Sequence, residues 1–499
     1  MPLFTKQTER ARAALDAFYG SDLTTALTRH QREPPAEGAL ALFHEAARRV
    51  PAYGRFLAEN GVEPTHVRTA ADFAALPTPT KEDYYRRHAL PELCWDGRLE
   101  RSDFVAVSSG STGEPAVWPR FVSDELGTAA RFEQVLADAF DGGARRTLGV
   151  VCFALGSWVG GMYTTAACRH LAAKGYPLTL VTPGNNLQEI LRVVRALGPL
   201  FEQTALFGYP PFLKDVIDAG RADGLDWAAL SLRLVTAGEV FSEPWRALVA
   251  ERAGMADPVR STASLYGTAD GGVLANETPV SIAIRRALSE RPALAQQLFG
   301  EPRLPTLLQY DPCHRYFEVD GAELLFTGDG GVPLVRYRIL DRGGVIPYAR
   351  LLAALRDHGV EPLAALDGAP ARDLPFVYVF GRTGFALSLY GANVYPENVA
   401  AGLEGQDIAR EVTGKFVLEL EHGPDANVRL KLSVELAAGC VAGERLAQDV
   451  ARAVRAEIER QNSEFLNYVP DARRTPEVVL LPLGDPGYFP KGVKHRYTR

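Results

Sequence analysis

Across its first three quarters the chain alternates short apolar strand patterns with amphipathic helical ones. No other feature restricts the fold as much. Strands are predicted over Leu148–Leu155, Leu178–Val181, Leu232–Ala237, Glu323–Thr327 and Val335–Leu340. Between them lie runs such as LQEILRVVRAL (187–197), whose apolar residues recur at helical spacing. A chain that alternates in this way buries its strands between helices, so the pattern predicts an α/β domain with helix-covered sheets.

The last quarter changes character. FVYVFGR (376–382) reads as a strand and is followed by an expected bend at Thr383-Gly384. ALSLYGANVYPENVAAGLEG then reads as strand, turn and a short helix begun by Pro396. In VRLKLSVEL, Val428, Leu430, Leu432, Val434 and Leu436 alternate with mostly polar residues, as in a half-buried strand. Leu446, Val450, Val454 and Ile458 recur every fourth residue and form one apolar stripe on a helix. The expected organisation is a large N-terminal α/β domain over residues 1–381 and a small C-terminal α+β domain over residues 382–499.

Composition excludes some functions. The 499 residues carry 54 basic and 61 acidic side chains, a net charge of −7, with no long basic run. That balance argues against a nucleic-acid partner. The five cysteines, Cys94, Cys152, Cys168, Cys313 and Cys440, contain no CxxC pair and fit reduced thiols in a cytoplasmic protein. Cys313-His314 has no partners at zinc spacing and reads as structural. Thr147–Cys168 is uncharged over the length of a membrane helix, but Gly149, Gly156, Gly160 and Gly161 interrupt it. It is read as a buried strand, a glycine turn and a helix start. The first twenty residues form a charged amphipathic helix without the apolar core of a signal peptide. A membrane location is not expected.

One segment is built for an anion. In SSGSTGEP, Ser108–Pro115, backbone N–H groups and the hydroxyls of Ser108, Ser109, Ser111 and Thr112 surround Gly110 and Gly113, which permit close approach. The segment lacks the lysine of a Walker loop and the spacing of a dinucleotide fingerprint. An ordinary surface loop has a similar composition, so its company decides. LPTPTKEDYY (76–85) precedes it. LFGYPPFL (206–213), VTAGEVFSEPWR (235–246), SLYGTADGG (264–272), ELLFTGDGGVPLVRYRILD (323–341), FGRTGFALSLYGANVYPENV (380–399) and FPKGVKHRYTR (489–499) follow. In order and spacing these motifs resemble the adenylate-forming superfamily of acyl-CoA synthetases, within it the phenylacetate-CoA ligase-like branch, over about residues 70 to 499.

The resemblance implies a chemistry. A carboxylate and ATP, with Mg²⁺, give an acyl adenylate and pyrophosphate; a thiol, most often of coenzyme A, then displaces AMP. Ser108–Pro115 becomes the pyrophosphate-handling loop, with Ala116 where many relatives carry lysine; either Arg120 compensates or the loop binds ATP less tightly. Gly238, Glu239, Tyr266, Gly267 and Thr268 become the nucleotide-binding segments, Tyr266 giving a stacking face. The acidic magnesium ligand usually directly after that threonine is displaced here to Asp270. Of two aspartates, Asp341, after RYR, is preferred over Asp329 of TGD as the ribose ligand, and Arg382 as its neighbour on the ribose or phosphate side. Ser157, Trp158, Tyr163, Phe207, Gly208 and Tyr209 align with acyl-pocket segments and suit a compact, aromatic acid. Lys494 is the expected catalytic lysine of a mobile small domain, with Lys491 as the other candidate. The hinge reads Gly381-Arg382-Thr383-Gly384-Phe385, without the branch's usual paired aspartates. That departure keeps a second acceptor open (a carrier protein, an amine or another small nucleophile). A nucleotide-binding protein without turnover is the third reading. Oligomeric state is left open, a homodimer being one option.

Overall fold

The computed structural model describes residues 6–498 apart from 108–115, 157–158, 239, 302, 383–386, 390–391, 423–427, 463–464, 466–468, 470 and 491–494. Eleven strands form one large mixed sheet. Its strands are β3 (Thr147–Val151), β4 (Leu178–Val181), β5 (Gln203–Gly208), β6 (Arg233–Ala237), β7 (Thr262–Thr268), β8 (Gly272–Asn276), β9 (Thr306–Gln309), β10 (Tyr316–Asp320), β11 (Glu323–Gly328), β12 (Leu334–Ile346) and β13 (Phe376–Arg382). They lie in the order β10-β11-β12-β13-β9-β8-β7-β6-β5-β3-β4. The β4, β3, β5, β6, β7 half is parallel; beyond β7 the pairing is antiparallel. A separate hairpin, β1 (Phe104–Val107) and β2 (Val117–Arg120), pairs Val107 with Val117 and so brings together the ends of segment 108–115.

The parallel half follows from composition. Every residue of β3 and β5 is buried, as continuous apolar strands covered on both faces by helices must be. The helix Leu187–Leu197 has the predicted bounds and turns Ile190, Leu191, Val193 and Val194 inward. Two strands depart from expectation. The strand predicted over Leu148–Leu155 stops at Val151, and the chain turns at Gly156 with φ +87°. The strand predicted over Val335–Leu340 is the middle of a thirteen-residue strand. There Arg336 and Leu340 take positive φ values of 51° and 62°, and the β11–β12 register shifts, which breaks the period-two pattern.

At the C-terminal end, a two-stranded ladder, β14 (Leu387–Leu389) and β15 (Ala392–Val394), precedes the helix Pro396–Leu403. A three-stranded sheet follows: β16 (Val412–His422), β17 (Val428–Leu436) and β18 (Glu477–Leu481). The helix Glu444–Gln461 lays Leu446, Val450, Val454 and Ile458 into the same apolar cluster as Leu430, Leu432, Val434 and Leu436. Burial stabilises each such side chain by about 1.5–3 kcal/mol. The other face of β17 is not solvated as expected, for Ser433 and Glu435 are both 1% exposed. The chain after β18 folds back over it: Glu435 accepts from Gly484 N at 2.9 Å and from Thr413 Oγ1 at 2.7 Å. This C-terminal unit is tied to the large sheet's helices by Lys415 Nζ to Asp215 at 2.5 Å, Arg252 Nη2 to the Ala409 carbonyl at 2.9 Å, and a short Ser242–Glu404 hydrogen bond. Among the described residues, no helix is long and apolar enough to cross a membrane.

Candidate active site

The carboxyl ends of β5, β6 and β7 lie side by side, with Gly208 paired to Thr236 and Ala237 to Leu265. In open α/β sheets this edge is where ligands bind. Three sequence motifs end there. Gly208-Tyr209 follows β5, Gly238 follows β6, and Tyr266-Gly267-Thr268 closes β7. Gly238 has φ +83°, and a Cβ on it would stand 2.7 Å from Tyr209 Cε1. Only glycine therefore lets the Tyr209 ring close over this turn. Tyr209 meets Phe153 edge-on at 5.0 Å. Phe207, one residue back, points into the core: it is wholly buried, with Phe132 at 5.8 Å. Of the predicted pocket residues, Tyr209 thus stands at the rim and Phe207 beneath it.

Tyr266 Oη donates to Asp341 Oδ2 at 2.5 Å. The two residues belong to β7 and β12, with three strands between them in the sheet order, and Asp341 is 6% exposed. Across β12 and β13 the Asp341 backbone pairs with that of Arg382. The fold therefore gathers Tyr266, Asp341 and the Arg382 backbone. Asp329 is placed elsewhere, in the β11–β12 turn, where its Oδ1 accepts from its own neighbour, Gly330 N, at 2.9 Å.

The β7–β8 turn that carries Asp270 is held from below by buried charge. Arg120 Nη1 donates to the Asp270 carbonyl at 3.1 Å, and its Nη2 to the Ala269 carbonyl. Arg315 Nη2 donates to the Gly271 carbonyl at 3.1 Å. Asp270 is itself 5% exposed, and its Oδ2 accepts from Tyr337 Oη at 2.6 Å. Asp124 completes the group, accepting at Oδ2 from Phe121 N at 2.9 Å and Gly331 N at 3.1 Å. Burial pushes its carboxyl upward, against the pull of Arg120 and Arg315. A Cβ on Gly331 would lie 2.1 Å from the Pro119 carbonyl, so the TGDGG turn packs directly on β2. The first motif joins as well: Val117 N donates to Tyr85 Oη at 2.9 Å, and Arg338 N to the Pro79 carbonyl at 3.0 Å. Arg120 is one of the two options the sequence leaves for the missing lysine after the hydroxyl-rich segment. It is instead 2% exposed, with both Nη atoms on the hairpin carbonyls.

Tyr163 comes from the helix Val159–Lys174 and lies under this turn, with the Arg120 guanidinium 5.6 Å from its ring centroid. Burial raises its phenol well above the usual range. Neither its Oη nor Thr128 Oγ1 has a hydrogen-bond partner among the described residues. The remaining predictions, Ser108–Pro115, Ser157, Trp158, Glu239, the Arg382 side chain, Lys491 and Lys494, lie outside the described residues. Sequence reading missed Asp124, Arg315 and Tyr337. The one available signal was the charge of Arg315 and Asp124 beside apolar runs.

No protein-family model matches the chain. Two phenylacetate-coenzyme A ligases do resemble it in sequence. That of Aromatoleum evansii is 25% identical over 361 residues, 70% of each chain. That of Thermus thermophilus is 25% identical over 359 residues, 71% of each chain. Among solved structures, 2-hydroxyisobutyryl-CoA ligase in its postadenylation state with an acyl-AMP superposes with a TM-score of 0.66 at 15% identity, covering 93% of this chain and 88% of that one. Its open conformation with acyl-AMP and CoA gives 0.53 at 16% identity, covering 93% and 90%. The ordered motifs, the shared fold and the sequence likeness lead to one conclusion: the chain has the fold of the adenylate-forming acyl-CoA ligases and is similar in sequence to phenylacetate-coenzyme A ligases.

Proposed function

We propose that this enzyme activates a compact, aromatic carboxylate to its acyl adenylate and passes the acyl group to coenzyme A. The observation that carries the reading is the Tyr266–Asp341 hydrogen bond, 2.5 Å long, beside the Gly238–Tyr209 turn. In this reading Asp341 accepts from both ribose hydroxyls, and the Tyr266 phenol fixes the carboxylate's orientation. Adenine lies along Gly238 and the Tyr266 ring. The hydroxyls of Ser108, Ser109, Ser111 and Thr112 hold the outer phosphates, and Arg382 faces the ribose or the α-phosphate. The acid enters between Tyr209 and Tyr163, whose aromatic faces support an aromatic substrate, as does the likeness to two phenylacetate-coenzyme A ligases.

Mg²⁺ is bound through one or two carboxylates together with phosphates and water. Asp270 fits that requirement with the one carboxylate oxygen that Tyr337 does not take. When bound, the ion neutralises charge on the departing pyrophosphate. Lys494, on a small domain that begins at residue 382, bridges the carboxylate and the α-phosphate in the first half-reaction. The test is pyrophosphate exchange with a panel of aromatic and short aliphatic acids, followed by product analysis with coenzyme A. Exchange with aromatic acids and an acyl-CoA product supports the reading. Exchange without acyl-CoA, the acyl group going to an amine or a carrier protein, would replace the acceptor, as the hinge lacking paired aspartates foreshadows.

A further inference from the structure

Cys313-His314 gains in the fold the partners that its sequence spacing lacks. The helix Leu23–His30 ends against the turn that joins β9 to β10, 281 residues further along. There His30 Nδ1 lies 2.7 Å from Asp311 Oδ2. Asp311 Oδ1 accepts from Cys313 N at 3.1 Å, and Cys313 Sγ donates to the His30 carbonyl at 3.3 Å. One ligand atom each from His30, Asp311 and Cys313 lies within 4.8 Å of the other two. The His314 ring stands 5.0 Å from that of His30, centroid to centroid. Its Nδ1 is buried, 3.4 Å from Asp311 Oδ2, and has no hydrogen-bond partner among the described residues.

We propose that His30, Asp311 and Cys313, with His314 as the fourth ligand, form a structural site for a divalent transition metal of the zinc class. A set of imidazole, thiolate and carboxylate donors suits zinc and its neighbours and is foreign to Mg²⁺ or Ca²⁺. Ligand atoms about 2.0–2.3 Å from a tetrahedral ion stand roughly 3.3–3.8 Å apart. Closure from the present spacing therefore asks the side chains of His30, Asp311 and Cys313 to shift by about 1 Å or less, with the His314 ring swinging in to complete the set. Four protein ligands make the site closed, hence structural: it would pin the N-terminal helices to the large sheet. The surrounding charge permits a cation. Arg131 Nη2, 3.7 Å from Asp311 Oδ2, and Arg315 beside His314 are the buried positive groups, with Arg29 nearer the surface, whereas Glu33 and Asp311 both face the Cys313 thiol. The Cys313 thiol donates to the His30 carbonyl and so enters the site protonated. Binding M²⁺ breaks the S–H bond, forms the M–S bond and releases one proton to solvent, which makes affinity rise with pH. The hydrogen bonds alone could instead make this a plain polar junction with no metal.

A Co²⁺ titration of chelator-treated full-length protein separates the two. The site predicts one equivalent of Co²⁺, with tetrahedral visible bands and a near-ultraviolet thiolate charge-transfer band, displaced by Zn²⁺. Cys313→Ser must abolish the charge-transfer band, and Cys440→Ser, the other partly exposed thiol, must leave it intact. Zn²⁺ must raise the thermal unfolding midpoint of the wild type but not of Cys313→Ser. Absence of a sulfur-to-cobalt band in the wild-type protein overturns the proposal, whatever the variants do. So does retention of that band, or of the Zn²⁺-induced stabilisation, in Cys313→Ser.

Discussion

Replacing Asp341 tests the assignment of the nucleotide site. Its carboxylate accepts from Tyr266 Oη at 2.5 Å and, in the proposed complex, from two ribose hydroxyls. A hydrogen bond to a charged acceptor contributes about 1.5–3 kcal/mol. Losing the two ribose bonds in Asp341→Ala should therefore cost about 3–6 kcal/mol of ATP binding, roughly a hundredfold to a ten-thousandfold. Tyr266→Phe keeps the ring and the carboxylate but removes one bond that orients it, so the loss should be at most about 3 kcal/mol, roughly a hundredfold. Asp329→Ala removes a local bond to Gly330 N in the β11–β12 turn and should leave ATP affinity within about threefold. Calorimetric titration of ATP into the three variants, with thermal unfolding as the control for folding, gives the ranking. An Asp329 effect equal to or above that of Asp341 would refute the reasoning, because it would put the ribose at the β11–β12 turn.

Three further outcomes follow from the same structure. Arg120→Met leaves the buried Asp124 with one compensating guanidinium fewer and frees the Asp270 and Ala269 carbonyls; urea unfolding should show a loss of about 3–5 kcal/mol, and a loss below about 1 would contradict the clamp. Burial raises the Glu404 carboxyl from 4.5 to about 7, despite the hydrogen bond from Ser242. The native state then binds more protons than the unfolded chain between these values, so stability should fall as pH rises from about 4.5 to about 7. Glu404→Gln should flatten that slope in urea titrations at several pH values, and an unchanged slope would remove Glu404 as its source. Lys494→Ala should abolish pyrophosphate exchange while ATP binding and acyl transfer from a pre-made adenylate persist; loss in Lys491→Ala instead would move the role to Lys491.

Much of this was legible in the sequence because period and motif report on local structure. The helix Leu187–Leu197 and the strand Val428–Leu436 have the bounds their apolar patterns set. The preference for Asp341 over Asp329 rests on the order of RYR and aspartate; the fold adds a Tyr266 hydrogen bond to Asp341. What stayed hidden depends on contacts between distant residues. Arg120 looked like a phosphate ligand because it follows the hydroxyl-rich segment, whereas the fold points it at carbonyls 149 and 150 residues away. Tyr337 and Asp124 act on motifs far from them in sequence, which no local pattern records. Glu435 lies on what period two marks as a solvent face, and Thr413 with the returning chain at Gly484 covers it. His30 and Asp311 met for the same reason.

The central claim is that this site joins a carboxylate to AMP. The most direct measurement is exchange of labelled pyrophosphate into ATP by the wild-type enzyme, with Mg²⁺ and without coenzyme A, across a panel of compact aromatic acids. The account predicts exchange that requires both the acid and Mg²⁺, that yields AMP and never ADP once coenzyme A is added, and that is lost in Asp341→Ala. Exchange that ignores the acid, or formation of ADP and phosphate, would contradict it.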